Sequence, residues 1–139
     1  MTGKEIIEKV KALNLPSDSY VVDGSCPMAI AGLRESNDID LLVSKELFEQ
    51  LRERGWREHE KGPDDKPLVY DVFEAHSHWD FSPYVFTLEQ LLKTVTIVEG
   101  IPFASLQEVR NWKAAAARPK DLKDIELIDA YLQSKNDRG

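Results

Sequence analysis

Apolar and polar positions in this chain follow two periods. In GKEIIEKVKAL the residues Ile6, Ile7, Val10 and Leu13 recur three or four apart and predict an amphipathic helix, ended by Pro16. Tyr20, Val21 and Val22 predict a short strand running into Gly24-Ser25, and PMAIAGL predicts a short helix with Pro27 in its first turn. Asp38 to Val43 alternates and predicts a second strand. KELFEQLRERG follows as a helix capped by Ser44, with Leu47, Phe48 and Leu51 as its buried stripe and Gly55 as its stop. The polar stretch from His59 to Lys66 predicts a loop or hairpin turn, and LVYDVF, Leu68 to Phe73, a third strand.

The stretch AHSHWDFSP has no clear period and is predicted to be irregular. Thr87 and Gln90 form the pattern of a capping box ahead of LEQLLKT, and Ser105 and Glu108 do so ahead of LQEVRNWKAAAAR. Between them Val95 to Val98 predicts a fourth strand, turned by Gly100. Beyond Pro119 a last helix is predicted through KDLKDIELIDAYL, with Leu122, Ile125, Ile128 and Leu132 as its apolar stripe and SKNDRG as a frayed tail. The order of elements predicts one α/β domain over residues 1–139, with about four strands in a sheet flanked by helices.

Composition narrows the function classes. A net charge of −7 disfavours a general nucleic-acid-coating role, although a local basic patch can still grip a small polyanion. One cysteine, Cys26, excludes an intrachain disulfide and a cysteine-built zinc site. It reads as a small buried residue rather than a nucleophile. The charged N-terminal segment does not resemble a signal peptide, and no apolar run approaches the roughly 20 residues of a membrane span. The expectation is a soluble cytoplasmic protein.

Two acids stand out because they open an apolar run. In DIDLLV, Asp38 and Asp40 are two apart and so share one strand face, while Ile39, Leu41 and Val43 face the other way, into a core. Two like charges held close repel each other unless a cation lies between them, and an oxygen donor pair of this kind suits Mg²⁺ or Mn²⁺. A solvent-facing edge strand is the ordinary alternative for so short a pattern. Upstream, the Gly24-Ser25 turn joins a strand to a helix. Glycine permits close approach of a ligand, the following N–H groups can point at an anion, and Ser25 adds a hydroxyl. No P-loop, dinucleotide-binding or G-x-S-x-G fingerprint is present.

The string GSCPMAIAGLRESNDIDLLVS, with twelve residues between GS and DID, resembles the nucleotidyltransferase superfamily related to DNA polymerase β. Within it, the string is similar to the minimal bacterial and AbiEii-type toxin nucleotidyltransferases. KAAAARPKDLKDIELI also resembles a helical segment of those proteins. The gap between GS and DID is slightly longer than is usual in the minimal enzymes paired with HEPN partners.

The resemblance implies a mixed sheet with C-terminal helices packed on it, NTP as substrate, and Gly24 and Ser25 as phosphate contacts. It also implies Asp38 and Asp40 as metal ligands, a third carboxylate from a neighbouring strand, and Lys113 as a cation reaching the triphosphate. Asp71, in the middle of LVYDVF, is the expected third acid, as metal ligand and general base, with Glu74 and Asp80 as rivals.

The acceptor hydroxyl, whether on protein, RNA or a small molecule, is left open, as are a homodimer and a partner protein. A catalytically inactive binding module, such as an antitoxin-like or regulatory subunit, is the alternative from another class. Arg110, Arg118, Lys120 and Lys123 make the C-terminal third the most basic region, with Asp121 and Asp124 as ready partners. Arg34 is placed either on phosphate, on a catalytic aspartate or in solvent. His76, His78 and Asp80, with His59 more distant, resemble a weak zinc pattern. Trp79, Phe81, Tyr84 and Phe86 suit either stacking on a base or packing in the core.

Overall fold

The computed structural model describes residues 1–62, 66–81 and 84–138; the side chains of 79–81, 84–86 and 136–138 lie outside the described set. The chain opens with α1 (Gly3–Leu13), β1 (Tyr20–Asp23), α2 (Cys26–Ile30), β2 (Ile39–Val43) and α3 (Lys45–Glu53). Next come β3 (Arg57–Glu58), β4 (Leu68–Tyr70) and β5 (Phe73–His76), then a hairpin of β6 (Trp79–Phe81) and β7 (Tyr84–Phe86). It closes with α4 (Leu88–Leu92), β8 (Thr96–Val98), β9 (Ile101–Phe103), α5 (Leu106–Ala116) and α6 (Pro119–Arg138).

Seven strands form one mixed sheet in the order β3-β4-β5-β2-β1-β9-β8, so the α/β class expected from the sequence holds. The central strand β2 pairs antiparallel with β1 and parallel with β5. Alternation along β1 and β2 sends Tyr20, Val22, Ile39, Leu41 and Val43 to one face, where they pack with Ile6 and Val10 of α1 and Leu47, Phe48 and Leu51 of α3. Val21 and Leu42 point to the other face and pack with Leu91 of α4, Val109 and Trp112 of α5, and Ile128 of α6. Both faces are therefore covered, and the acids that share the parity of Val21 and Leu42 lie under α5 and α6.

Local signals set most helix starts. Thr2 and Thr87 make reciprocal capping boxes with Glu5 and Gln90, and the Ser44 and Ser105 side chains accept from Leu47 N and Glu108 N. Three expectations change. LVYDVF is not one strand but a hairpin: Tyr70 pairs with Phe73, and Asp71 lies in the turn with φ +52. The region after Leu68 therefore holds β5, and β6 and β7 follow where irregular chain was expected. The strand β9 was not anticipated, because Pro102 sits in its middle and removes a ladder donor.

The stripe of α6 also differs. Leu122 is 53% exposed, whereas Asp121 and Asp124 are buried, and helix extends through Arg138 where a frayed tail was expected. Among the described residues no helix is long and apolar enough to cross a membrane.

Candidate functional site

Strand register builds the site. Asp23 of β1 is the cross-strand partner of Asp40 of β2, and Asp40 is the partner of Glu74 of β5. Three adjacent strands thus carry a row of carboxylates at one end of the sheet, on the face covered by α5 and α6. Asp40 and Glu74 open onto a cleft of about 650 Å³, lined by Gly24, Ser25, Asp38, Asp40, Glu74 and His76 on the sheet side, and by Trp112, Lys113, Arg118, Lys120, Lys123 and Asp124 on the helix side, while Asp23 stays buried behind them. Arg34, Ser36, Asn37 and Lys61 complete its wall.

Asp38 and Asp40 both line this cleft, as the alternation predicts. Asp38 flanks the start of β2 and is exposed at the mouth. Partial burial, then the negative charges of Asp40 and Glu74, hold its carboxyl above the ordinary carboxylate range, against the pull of Lys61 and Lys120. Its backbone carbonyl accepts from Ser36 Oγ at 2.9 Å and from Cys26 Sγ at 3.4 Å, which fixes the strand entrance. Burial pushes the Cys26 thiol up to about 12, so it stays protonated and serves as packing.

Gly24 stands against Asp40. Its φ is +68, and a Cβ built there would collide with the Asp40 carboxylate, with Cγ at 3.0 Å. Only glycine lets the turn and the acid share this space. Ser25 makes no cap bond to α2; its hydroxyl accepts from Arg34 Nη2 at 2.6 Å. The anion cradle expected from the start of α2 is narrower than predicted. Pro27 lacks an N–H, those of Met28 and Ala29 bond Ser25 O at 3.1 and 3.3 Å, and that of Gly24 bonds Asp23 Oδ1 at 3.0 Å.

Asp71 does not reach the cleft. Its carboxylate pairs with Lys9 Nζ of α1 at 3.1 Å in an exposed turn, so its assignment as third acid, metal ligand and general base is corrected. Asp tolerates the left-handed turn conformation, and a turn without glycine left no mark in the apolar pattern. Glu74, one of the two rivals, lies in the carboxylate row, while the side chain of Asp80, the other, lies outside the described residues, as do those of Trp79, Phe81, Tyr84 and Phe86.

Lys113 is where the sequence placed it, on α5 facing the cleft, but its charge is engaged. It is 2% exposed, with Nζ 2.9 Å from Asp124 Oδ2, 3.6 Å from Asp121 Oδ1 and 4.6 Å from the Trp112 ring centroid. Arg34 grips the same Asp124, with Nε 2.9 Å from Oδ1, and Arg118 grips Asp121 through Nε at 2.6 Å and Nη2 at 3.1 Å. Burial alone would raise Asp121, but the Arg118 bonds and the nearby cations outweigh it and hold the carboxyl low. This network locks α6 onto α5 and ties the Ser25 turn to α6 through Arg34. Arg110 lies elsewhere, paired with Asp129 at 2.5 Å.

Comparison of the chain with known family models, with curated proteins and with solved structures returns no match. Three features of the site were not legible in the sequence. Asp23 is buried, its carboxyl pushed up to about 7 by burial against the bond it accepts from Gly24 N, with the Asp40 charge adding to the rise. Lys61, from the polar turn after β3, forms an ion pair with Glu74. His76 joins Asp40 and Glu74 in a group whose donor atoms all lie within 4.8 Å of one another. Of the histidines in the weak zinc pattern, His76 lines the cleft while His59 and His78 are exposed and do not line it; the Asp80 side chain lies outside the described residues. The donor set of two carboxylates and an imidazole fits a divalent cation.

Proposed function

We propose that this chain is a metal-dependent nucleotidyltransferase that moves an NMP from an NTP to an acceptor hydroxyl. The observation that carries this reading is the meeting of Asp38, Asp40 and Glu74 beside the Gly24-Ser25 turn, in a cleft whose opposite wall is cationic. The resemblance of the GS and DID strings to the polymerase β superfamily agrees with it.

Each residue has a task that follows from its place. Gly24 lets the turn lie directly against the Asp40 carboxylate, and Ser25, held by Arg34, presents its hydroxyl beside that acid for a phosphate. Lys120 and Lys123 face the acidic row across the cleft and offset the charge of a polyphosphate. Asp40 and Glu74 would hold the cation, and a divalent ion held there would supply Lewis-acid polarisation of the phosphate. Asp38 takes over the general-base part of the role first assigned to Asp71. It is exposed at the mouth and binds a proton more readily than an ordinary carboxylate, which suits acceptance of the acceptor hydroxyl's proton. Lys113 serves as the internal counterion that fixes the helix wall.

The test is incubation of the protein and a cell extract with α-³²P-labelled NTPs and Mg²⁺ or Mn²⁺. Label should pass to an acceptor, and Asp40→Asn should reduce the rate by about a hundredfold or more. Transfer that is unchanged in Asp40→Asn contradicts the reading.

A further inference from the structure

His76 lies next to the carboxylate row but is of a different chemical kind. Its side chain is 15% exposed, and its strand position, opposite Leu42 in the parallel ladder, fixes the ring on the same face as Glu74. Nε2 stands 3.5 Å from Glu74 Oε1 and 3.8 Å from Asp40 Oδ1. Both separations are long for a strong hydrogen bond. They are a few tenths of an ångström above the roughly 3.0–3.4 Å between neighbouring donor atoms on one dication.

Small rotamer adjustments therefore bring one nitrogen and two oxygens onto a shared centre. Hard Mg²⁺ takes oxygen donors and keeps its waters, whereas imidazole favours first-row transition dications. We propose that His76 is an inner ligand with Asp40 and Glu74, and that it makes this centre select a first-row transition-metal dication over Mg²⁺. The proposal rests on the reading of the cleft as a cation site, not on nucleotidyl transfer. Lys61, whose ammonium pairs with Glu74, has to turn aside when the ion enters.

The experiment titrates metal-free protein with MnCl₂ and follows free Mn²⁺ by electron paramagnetic resonance. Mg²⁺ is then added as competitor, and nitrogen coupling to bound Mn²⁺ is read from the electron spin echo envelope. Wild type should show nitrogen coupling and release Mn²⁺ only to about a tenfold or greater excess of Mg²⁺. His76→Gln should lose the coupling and about tenfold in Mn²⁺ affinity, with Mg²⁺ affinity changed by no more than about twofold. His59→Gln and His78→Gln should keep the coupling, and the wild-type signal stands by itself if His76→Gln fails to fold.

Absence of Mn²⁺ binding, absence of coupling, coupling that survives His76→Gln, or equal competition by Mg²⁺ each overturns the proposal. Coupling without any NTP transfer leaves it standing while the transferase reading fails. Transfer without coupling does the reverse.

Discussion

Gly24 and Asp40 show how closely the site is built. The glycine adopts a left-handed conformation, and its α-carbon faces the Asp40 carboxylate with no room for a methyl group. Gly24→Ala combines the cost of a positive φ with overpacking against a charged group, about 3 kcal/mol together. Urea unfolding should show that loss. Asp23 sits behind the same carboxylate. Its ordinary value is 3.8 and its folded value about 7, so the folded state binds the proton more tightly than the unfolded chain does. Stability from this group is full below about pH 4, falls as pH rises through 7, and is flat beyond. In chelator-treated protein, Asp23→Asn should flatten that slope, gaining on wild type between pH 5 and pH 8 in denaturation midpoints. Equal slopes would contradict the assignment. The sequence shows the paired acids Asp38 and Asp40 because alternation exposes them. It does not show Asp23 or Glu74 as their neighbours, because cross-strand register is set by pairing rather than by local pattern.

The elements divide along the same line. Helices with caps and an apolar stripe are legible in the chain, as α1, α3 and α4 show, since each carries its own start signal. Elements defined by their neighbours are not. The turn between β4 and β5 lies inside what looks like one apolar run, and Pro102 hides β9. α6 is the instructive case: its inner face is carried partly by Asp121 and Asp124, which an apolar-stripe search excludes, and the lysine they bind lies on α5. Removing Lys113 leaves two buried carboxylates with only Arg118 and Arg34 as partners. Lys113→Met should therefore destabilise by about 3 kcal/mol despite gaining apolar surface, seen as a lowered thermal midpoint. A wild-type midpoint in that variant would mean the network holds α6 without its lysine.

At the scale of the whole molecule, a chain of net charge −7 concentrates opposite charges on facing walls of one cleft. The sheet end presents carboxylates and the helix side presents Lys120 and Lys123, an arrangement that matches a polyphosphate carrying a dication. The α/β architecture and the GS and DID strings were readable beforehand. The third acid was not, because a hairpin removed Asp71 from the sheet face and register put Glu74 there. Equilibrium binding of labelled NTPs in the presence of Mn²⁺, compared among wild type, Asp71→Ala and Glu74→Gln, tests this most directly. Wild type and Asp71→Ala should bind within about twofold of each other, and Glu74→Gln should lose about tenfold or more. Retained binding in Glu74→Gln, or loss in Asp71→Ala, would contradict the account.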